Sequence, residues 1–268
     1  MANAIRLYFQ YVGISIRAQM QYRASFVMLS LGHFLSTGIE IVGIWALFER
    51  FGSLRGWSLA EVALFYGLIQ VAFAVAEALG RGFDTFPGMV KSGDFDRLLL
   101  RPRSAAFQVA AREVQLVRIG RLAQGLIVLL VAASALDVHW SFPRIALAIS
   151  AILGGACLFY GLFVLQATLS FWTTETLEIV NTVTYGGTET GQFPLSIYRS
   201  WFRKFFTFVI PLACVSYFPA LAILDRDDPA LGSPVWFRWL APFIGVMFLL
   251  ISLQAWRFGV RHYRSTGS

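Results

Sequence analysis

Apolar positions run through this chain in long, nearly uninterrupted stretches, with polar residues confined to the gaps between them. Residues 24–48, 59–80, 116–136, 144–171 and 236–257 each supply the roughly 20 residues that a helix needs to cross a hydrocarbon core. A further apolar run covers 205–224. Helices are expected throughout, because a spanning segment must satisfy its backbone N–H and C=O groups internally. The pattern predicts an all-α integral membrane protein forming one transmembrane domain over residues 1–268.

The first residues follow a different rule. Arg6, Gln10, Gly13, Arg17 and Gln21 recur every three or four positions, with Ile5, Tyr8, Phe9, Val12, Ile16 and Met20 opposite them. That spacing makes 1–23 an amphipathic helix lying in the membrane interface, arginines toward water and lipid headgroups. Interruptions by Arg6, Gln10, Arg17 and Arg23 do not fit a signal peptide.

Residues 172–224 allow two readings. Hydropathy alone makes 205–224 the fifth span and 172–204 a loop, which would be long for a compact bundle. Pro211 and Pro219 break up 205–224, however. In the second reading 172–192 is a weakly apolar, protein-buried span, and 195–224 a re-entrant helical hairpin.

Composition agrees with a membrane protein. Hydrophobic residues make up 57% of the 268 positions and charged ones only 14%, against about 25% in soluble domains. The formal charge of +7 resides in scattered Lys and Arg near span ends, which points to positive-inside topology rather than to nucleic acid. Segment 81–115 carries Arg81, Lys91, Arg97, Arg101, Arg103 and Arg112, whereas 137–143 has no Lys or Arg. Placing 81–115 and the tail arginines Arg257, Arg261 and Arg264 in the cytoplasm puts both termini inside and gives an even number of spans. Trp45, Trp57, Trp140, Trp236 and Trp239 are expected as interfacial anchors, and Cys157 and Cys214 as buried free thiols.

Catalytic chemistry is hard to find. Gly186-Gly187-Thr188-Glu189-Thr190-Gly191-Gln192 approaches a phosphate loop, but Gln192 and Phe193 replace its lysine and hydroxyl residue, so no ATP site is expected here. His33, His139 and His262 lie far apart with no metal-ligand spacing. Glu40, Glu77, Glu175, Glu178 and Glu189 could serve an ion-coupled carrier, because intramembrane carboxylates face a bundle interior or an aqueous path. The plainer expectation pairs Glu40 with a neighbour, sets Glu77 near the inner interface and leaves Glu175 and Glu178 in a loop.

One polar interruption is more structured than the rest. Gly93-Asp94-Phe95-Asp96-Arg97-Leu98-Leu99-Leu100-Arg101-Pro102 combines an acidic lead, an apolar triplet, flanking arginines and a proline stop. A short helix from Asp94 would have a favourable N-terminus and expose leucines for a partner's groove, with arginines for its acidic rim.

The same succession resembles the cytoplasmic loop signature of type-2 ATP-binding-cassette export permeases, especially a branch often encoded as two permeases with one ATPase. Phe171-Trp172, Phe193-Pro194-Leu195-Ser196-Ile197-Tyr198, Arg203, Phe208-Val209-Ile210-Pro211 and Tyr217-Phe218-Pro219-Ala220 are similar to that branch's second signature. The resemblance implies six transmembrane helices, a coupling helix within 81–115 and an extracellular re-entrant pair at 195–224 before the last span. Gly93, Asp94, Asp96, Arg97, Leu98, Leu99, Leu100, Arg101 and Pro102 would then contact the ATPase. Phe95 stands where an aliphatic residue is usual. Implied partners are a cytoplasmic ATPase dimer carrying ATP and Mg, a second and preferably different permease, and the lipids of the inner membrane. The implied function is export of a hydrophobic or amphipathic substrate.

Overall fold

The protein is described by a computed structural model covering residues 2–173, 177–228 and 230–263, without the side chains of 2–5, 9 and 177–180. The described residues are helical and include no β-strand. The chain opens with α1 (Ala2–Met20), α2 (Arg23–Phe51) and α3 (Leu59–Asp84). Three short helices follow: α4 (Phe86–Lys91), α5 (Asp94–Leu99) and α6 (Ala105–Arg112). Next come α7 (Ile119–Ala135), α8 (Phe142–Leu169) and α9 (Leu177–Gly191). A broken region holds α10 (Ser200–Lys204), α11 (Leu212–Val215) and α12 (Tyr217–Leu224), and α13 (Val235–Leu240) and α14 (Phe243–His262) complete the order.

Among the described residues, five helical segments are long and apolar enough to cross a membrane: those built on α2, α3, α7, α8 and α14. Their packing inverts the soluble pattern. Met28, Leu35 and Ile39 on α2 are 72%, 62% and 72% exposed toward the surroundings that lipid would fill. The central helix α3 is buried along most of its length. It starts at Ser58, whose Oγ accepts from the Glu61 N–H while Glu61 Oε2 accepts from the Ser58 N–H at 2.7 Å, a reciprocal cap written as Ser-x-x-Glu.

Apolar attraction between helices is weak in lipid, so close approach depends on small residues. A Cβ on Gly245 of α14 would lie 2.1 Å from the Gly154 carbonyl oxygen of α8, and one on Gly154 would lie 2.3 Å from the Pro242 oxygen. Only hydrogen fits at either place. The last span therefore begins later than hydropathy predicts. Val235–Leu240 forms a separate short helix, and Pro242 redirects the chain onto Gly154 before α14 starts.

Residues 205–224 are not one straight crossing. The segments Ser200–Val209 and Leu212–Leu224 meet at a 74° bend. Ile210 has extended backbone angles because the following Pro211 disfavours the helical region. The described part of 172–204 contains α9 rather than only loop, but at 15 residues α9 is shorter than the expected 172–192 span and is not among the helices long and apolar enough to cross a membrane. Trp57 departs from the expected anchor role. It is 5% exposed, donates Nε1–H to Ser196 Oγ at 3.0 Å and lies beneath the Arg226 guanidinium.

The turn after α12 is organised by Asp228. Its carboxylate accepts from Tyr217 Oη–H at 3.1 Å and from the N–H groups of Ala230, Leu231 and Ser233 at 3.0–3.1 Å. Burial works to raise its pKa, but these hydrogen bonds outweigh burial and hold the carboxyl below the ordinary value.

Two outcomes follow. Gly154→Leu should destabilise the chain by about 1–3 kcal/mol through overpacking, read by thermal unfolding in detergent. Gly43→Leu should not, since nothing lies within 4 Å of that position. Asp228→Asn should lower stability near neutral pH by about 1–3 kcal/mol. Because the folded pKa is depressed, the Asp228 contribution is complete above the unfolded value of about 4 and is lost as pH falls through the folded value. The stability gap between the two proteins should close in that acidic window.

Candidate functional site

The excursion between α3 and α7 is built as a bracket. Gly93 has φ +72°, a left-handed conformation that suits glycine, and turns the chain from α4 into α5. Asp94 and Asp96 occupy the first turn of α5, where carboxylates suit the positive end of the helix. Ser92 Oγ–H donates to Asp94 at 3.0 Å. At the far end Gln108 Nε2–H reaches the Leu98 and Arg103 carbonyls at 3.2 and 3.1 Å, closing the turn that contains Pro102.

The two sides of α5 have different fates. Phe95 is fully buried, its ring 4.9 Å from Phe86, 5.0 Å from Tyr263, 5.5 Å from Phe171 and 6.3 Å from Trp256. An aromatic residue there completes a cluster that an aliphatic one would leave short of contacts. Leu98 was expected on the exposed leucine face, but the helical turn brings it beside Phe95 and leaves it 8% exposed. Leu99 and Leu100 are 42% and 86% exposed, and Arg97, Arg101, Pro102 and Arg103 are exposed with them. Asp96 lies close enough to the Tyr263 hydroxyl to act with burial in raising its pKa.

The bracket is tied to the bundle from both sides. Ser15 Oγ–H and Gln19 Nε2–H of α1 donate to the Val114 carbonyl at 3.1 and 2.6 Å, and Gln19 Oε1 accepts from the Leu116 N–H. Arg6, Gln10 and Arg17 face outward as the amphipathic pattern requires, and Tyr8 packs near Phe107. The four-residue spacing of Ser15 and Gln19 marks one helical face, but only the fold shows that this face meets Val114 and Leu116.

A deeper network lies where α7 begins. Glu77 of α3, buried at 3% exposure, receives Arg118 Nη2 at 2.9 Å and Arg121 Nη1 at 3.2 Å. Arg118 also reaches the His33 ring of α2 at 3.3 Å, and Arg121 covers the Phe73 ring at 5.1 Å. The three-residue spacing of Arg118 and Arg121 could have shown that both face one side of α7. Glu40 accepts from Gln70 Nε2–H at 3.1 Å, as the paired reading required. Glu175 and the Glu178 side chain lie outside the described residues.

A bundle of long apolar helices, with a basic helical excursion between the second and third of them, is a multi-pass, all-α membrane protein. The family model described as ABC-2 family transporter protein matches residues 34–267, and the chain belongs to that family. It is the transmembrane permease part of an ABC transporter rather than the ATPase. No curated protein and no solved structure matches the chain.

Glu77→Gln should destabilise the protein by about 3–5 kcal/mol, since it strands two guanidiniums in an apolar setting. Replacing Glu77, Arg118 and Arg121 together with Leu should recover most of that loss. Unfolding curves in detergent decide the matter, and an unshifted Glu77→Gln midpoint would remove the network from the stability argument.

Proposed function

We propose that this chain is the permease subunit of an ATP-driven exporter and that α5 is the element through which a cytoplasmic ATPase dimer acts on it. The observation that carries the reading is the division of α5 into a locked and a free side. Phe95 and Leu98 fix it to the bundle, while Arg97, Leu99, Leu100 and Arg101 project outward. An apolar knob with basic flanks suits a groove with an acidic rim. ATP and Mg would be held by the partner ATPase.

Force applied at α5 has a physical route inward. The Phe95 ring touches Phe171 just beyond α8 and Trp256 and Tyr263 at the end of α14. A packed aromatic cluster shifts as a unit because it has no free volume in which to absorb the motion. Closing of the ATPase dimer would thus reach both helices.

In this reading 81–115 and both termini face the cytoplasm of the inner membrane, and the bent pair within 195–224 lies at the outer face. A second permease, preferably a different chain, completes the pathway for a hydrophobic or amphipathic substrate. An ion-coupled carrier is the weaker reading, because Glu77 is already neutralised by Arg118 and Arg121 and Glu40 accepts from Gln70.

Arg101→Glu and Leu100→Asp should each reduce co-purification with the cognate ATPase by about tenfold, the size of a modest interface hot spot. Membrane insertion and the unfolding midpoint should stay as in the unmodified chain. Undiminished co-purification together with undiminished substrate-stimulated ATP hydrolysis would overturn the assignment of α5.

A further inference from the structure

Arg203 brings a guanidinium within the length of the apolar bundle, and two contacts bracket its depth. On one side Trp57, just before α3, donates Nε1–H to Ser196 Oγ at 3.0 Å, so the chain enters α10 level with the start of α3. On the other, a Cβ on Gly187 of α9 would lie 3.6 Å from Phe206 Cε1, and Tyr185 of α9 packs its ring 5.5 Å from Phe73. Phe73 lies about 21 Å along α3 from Leu59, at 1.5 Å per residue. Arg203 falls between these two levels, in the half of the bundle remote from the bracket.

Nothing in the chain neutralises it. Neither Arg203 nor Lys204 has a salt bridge among the described residues. Arg203 Nε is buried without a hydrogen-bond acceptor, in a side chain that is half-buried, while Lys204 is exposed. A cation at membrane depth is costly and marks a functional site when it has no counter-charge. Arg118 and Arg121 show the contrast, since both are spent on Glu77.

One turn further along, the same segment becomes the wall of a groove of about 910 Å³. Thr207, Phe208 and Pro211 at the bend face Phe237 of α13 and Phe248 and Ile251 of α14. Phe208 and Val209 are 77% and 61% exposed, so the groove opens on the side that lipid would fill. Its two hydroxyls are already used. Thr207 Oγ–H donates to the Arg203 carbonyl at 2.7 Å, and Ser233 Oγ accepts from Arg238 Nε–H at 3.1 Å. An extended peptide could not satisfy its backbone there, whereas an acyl chain has no polar group to satisfy. Arg203 and Lys204 stand four residues before Thr207 and Phe208, which sets both cations at one end of the groove. The complement of that arrangement is a hydrocarbon tail with a negative head. A zwitterionic head would bring another cation to the two already present, so a head of net negative charge fits better.

We infer that the groove beside the bend is a binding site for an anionic phospholipid, with an acyl chain along Phe208, Phe248 and Ile251 and the phosphate at Arg203 and Lys204. The site stands on these contacts and does not depend on the role proposed for α5.

The test titrates the full chain in detergent with dioleoyl phosphatidylglycerol. Dioleoyl phosphatidylcholine serves as the zwitterionic comparison, and glycerol phosphate as a head without a tail. Phosphatidylglycerol should raise the unfolding midpoint saturably, and glycerol phosphate should leave it unchanged. Arg203→Gln should weaken the apparent affinity for phosphatidylglycerol by about tenfold, the loss of one charge-assisted contact, while Arg203→Lys retains most of it. Binding of phosphatidylcholine should be weaker and should not respond to Arg203→Gln. Because Arg203 has no partner in the chain, the midpoint of Arg203→Gln without added lipid should match that of the native protein. If the variant does not fold, the native chain answers instead: phosphatidylglycerol with a photoreactive acyl chain should label Phe208, Phe248 and Ile251. An Arg203→Gln affinity within about twofold of the native value, an equal shift with glycerol phosphate, or labels confined to other faces would overturn the inference. So would cross-linking of Phe208 to a partner permease in the membrane, since the groove would then be a subunit contact. No ATPase enters these measurements, so failure here leaves the role of α5 standing, and failure of the ATPase test leaves this binding result standing.

Discussion

Glu77 is a carboxylate enclosed by apolar helices, where an isolated charge would cost several kcal/mol, and the two guanidiniums that reach it from α7 decide how the bundle is assembled. Their demands fix three helices at once. Arg118 and Arg121 must enter at the level of Glu77 on α3, and Arg118 must also meet His33 on α2. Apolar surfaces alone would let helices slide and rotate in lipid, because one hydrocarbon contact replaces another with little change in energy. A buried ion pair has no such freedom. Removal of one partner strands the rest, so the register of α2, α3 and α7 is tied to the charges.

That register in turn determines where the projecting bracket sits. Glu77 lies two turns before the end of α3, and Arg118 just before α7, so the segment between them is anchored at both roots. The Gln115 N–H donates to the Ala78 carbonyl at 3.0 Å, and α1 clamps Val114 and Leu116 from outside. Only the tip is left to project, and it is held by aromatic contacts rather than by charge. The difference suits a moving part. A packed aromatic cluster can shift as a unit without leaving a polar group unpaired, whereas a stranded guanidinium cannot be tolerated in apolar surroundings.

Long apolar runs reveal their helices because length and composition are properties of a single segment. The spans built on α2, α3, α7 and α8, the amphipathic face of α1 and the short helix at Asp94 were all readable on that basis. The start of α14 was not, since Val235–Leu240 is as apolar as a span, and the break depends on Pro242 meeting Gly154 from another helix. Leu98 shows the same limit within one turn: the leucine triplet looks uniform, and only the location of Phe86, Phe171 and Trp256 decides which leucine points inward. Trp57 was equally opaque, because its partners Ser196 and Arg226 lie far along the chain. Pairing across helices is information that a single segment does not contain.

The same limit bears on the glutamates, which look alike in sequence and differ entirely in surroundings. Glu77 is buried between two cations, whereas Glu40 is half-buried and accepts from the neutral Gln70. A charge satisfied from within contributes to register and cannot respond to a ligand without loosening the helices it joins. A carboxylate held by a neutral amide, as Glu40 of α2 is held by Gln70 of α3, adds a weaker constraint of the same kind. Both networks are set along one helix, α3, whose Glu77 and Gln70 sit two turns apart and serve them in turn. Because α3 is packed along nearly its whole length, a shift that starts at the bracket cannot reach Glu77 without also being felt at Gln70.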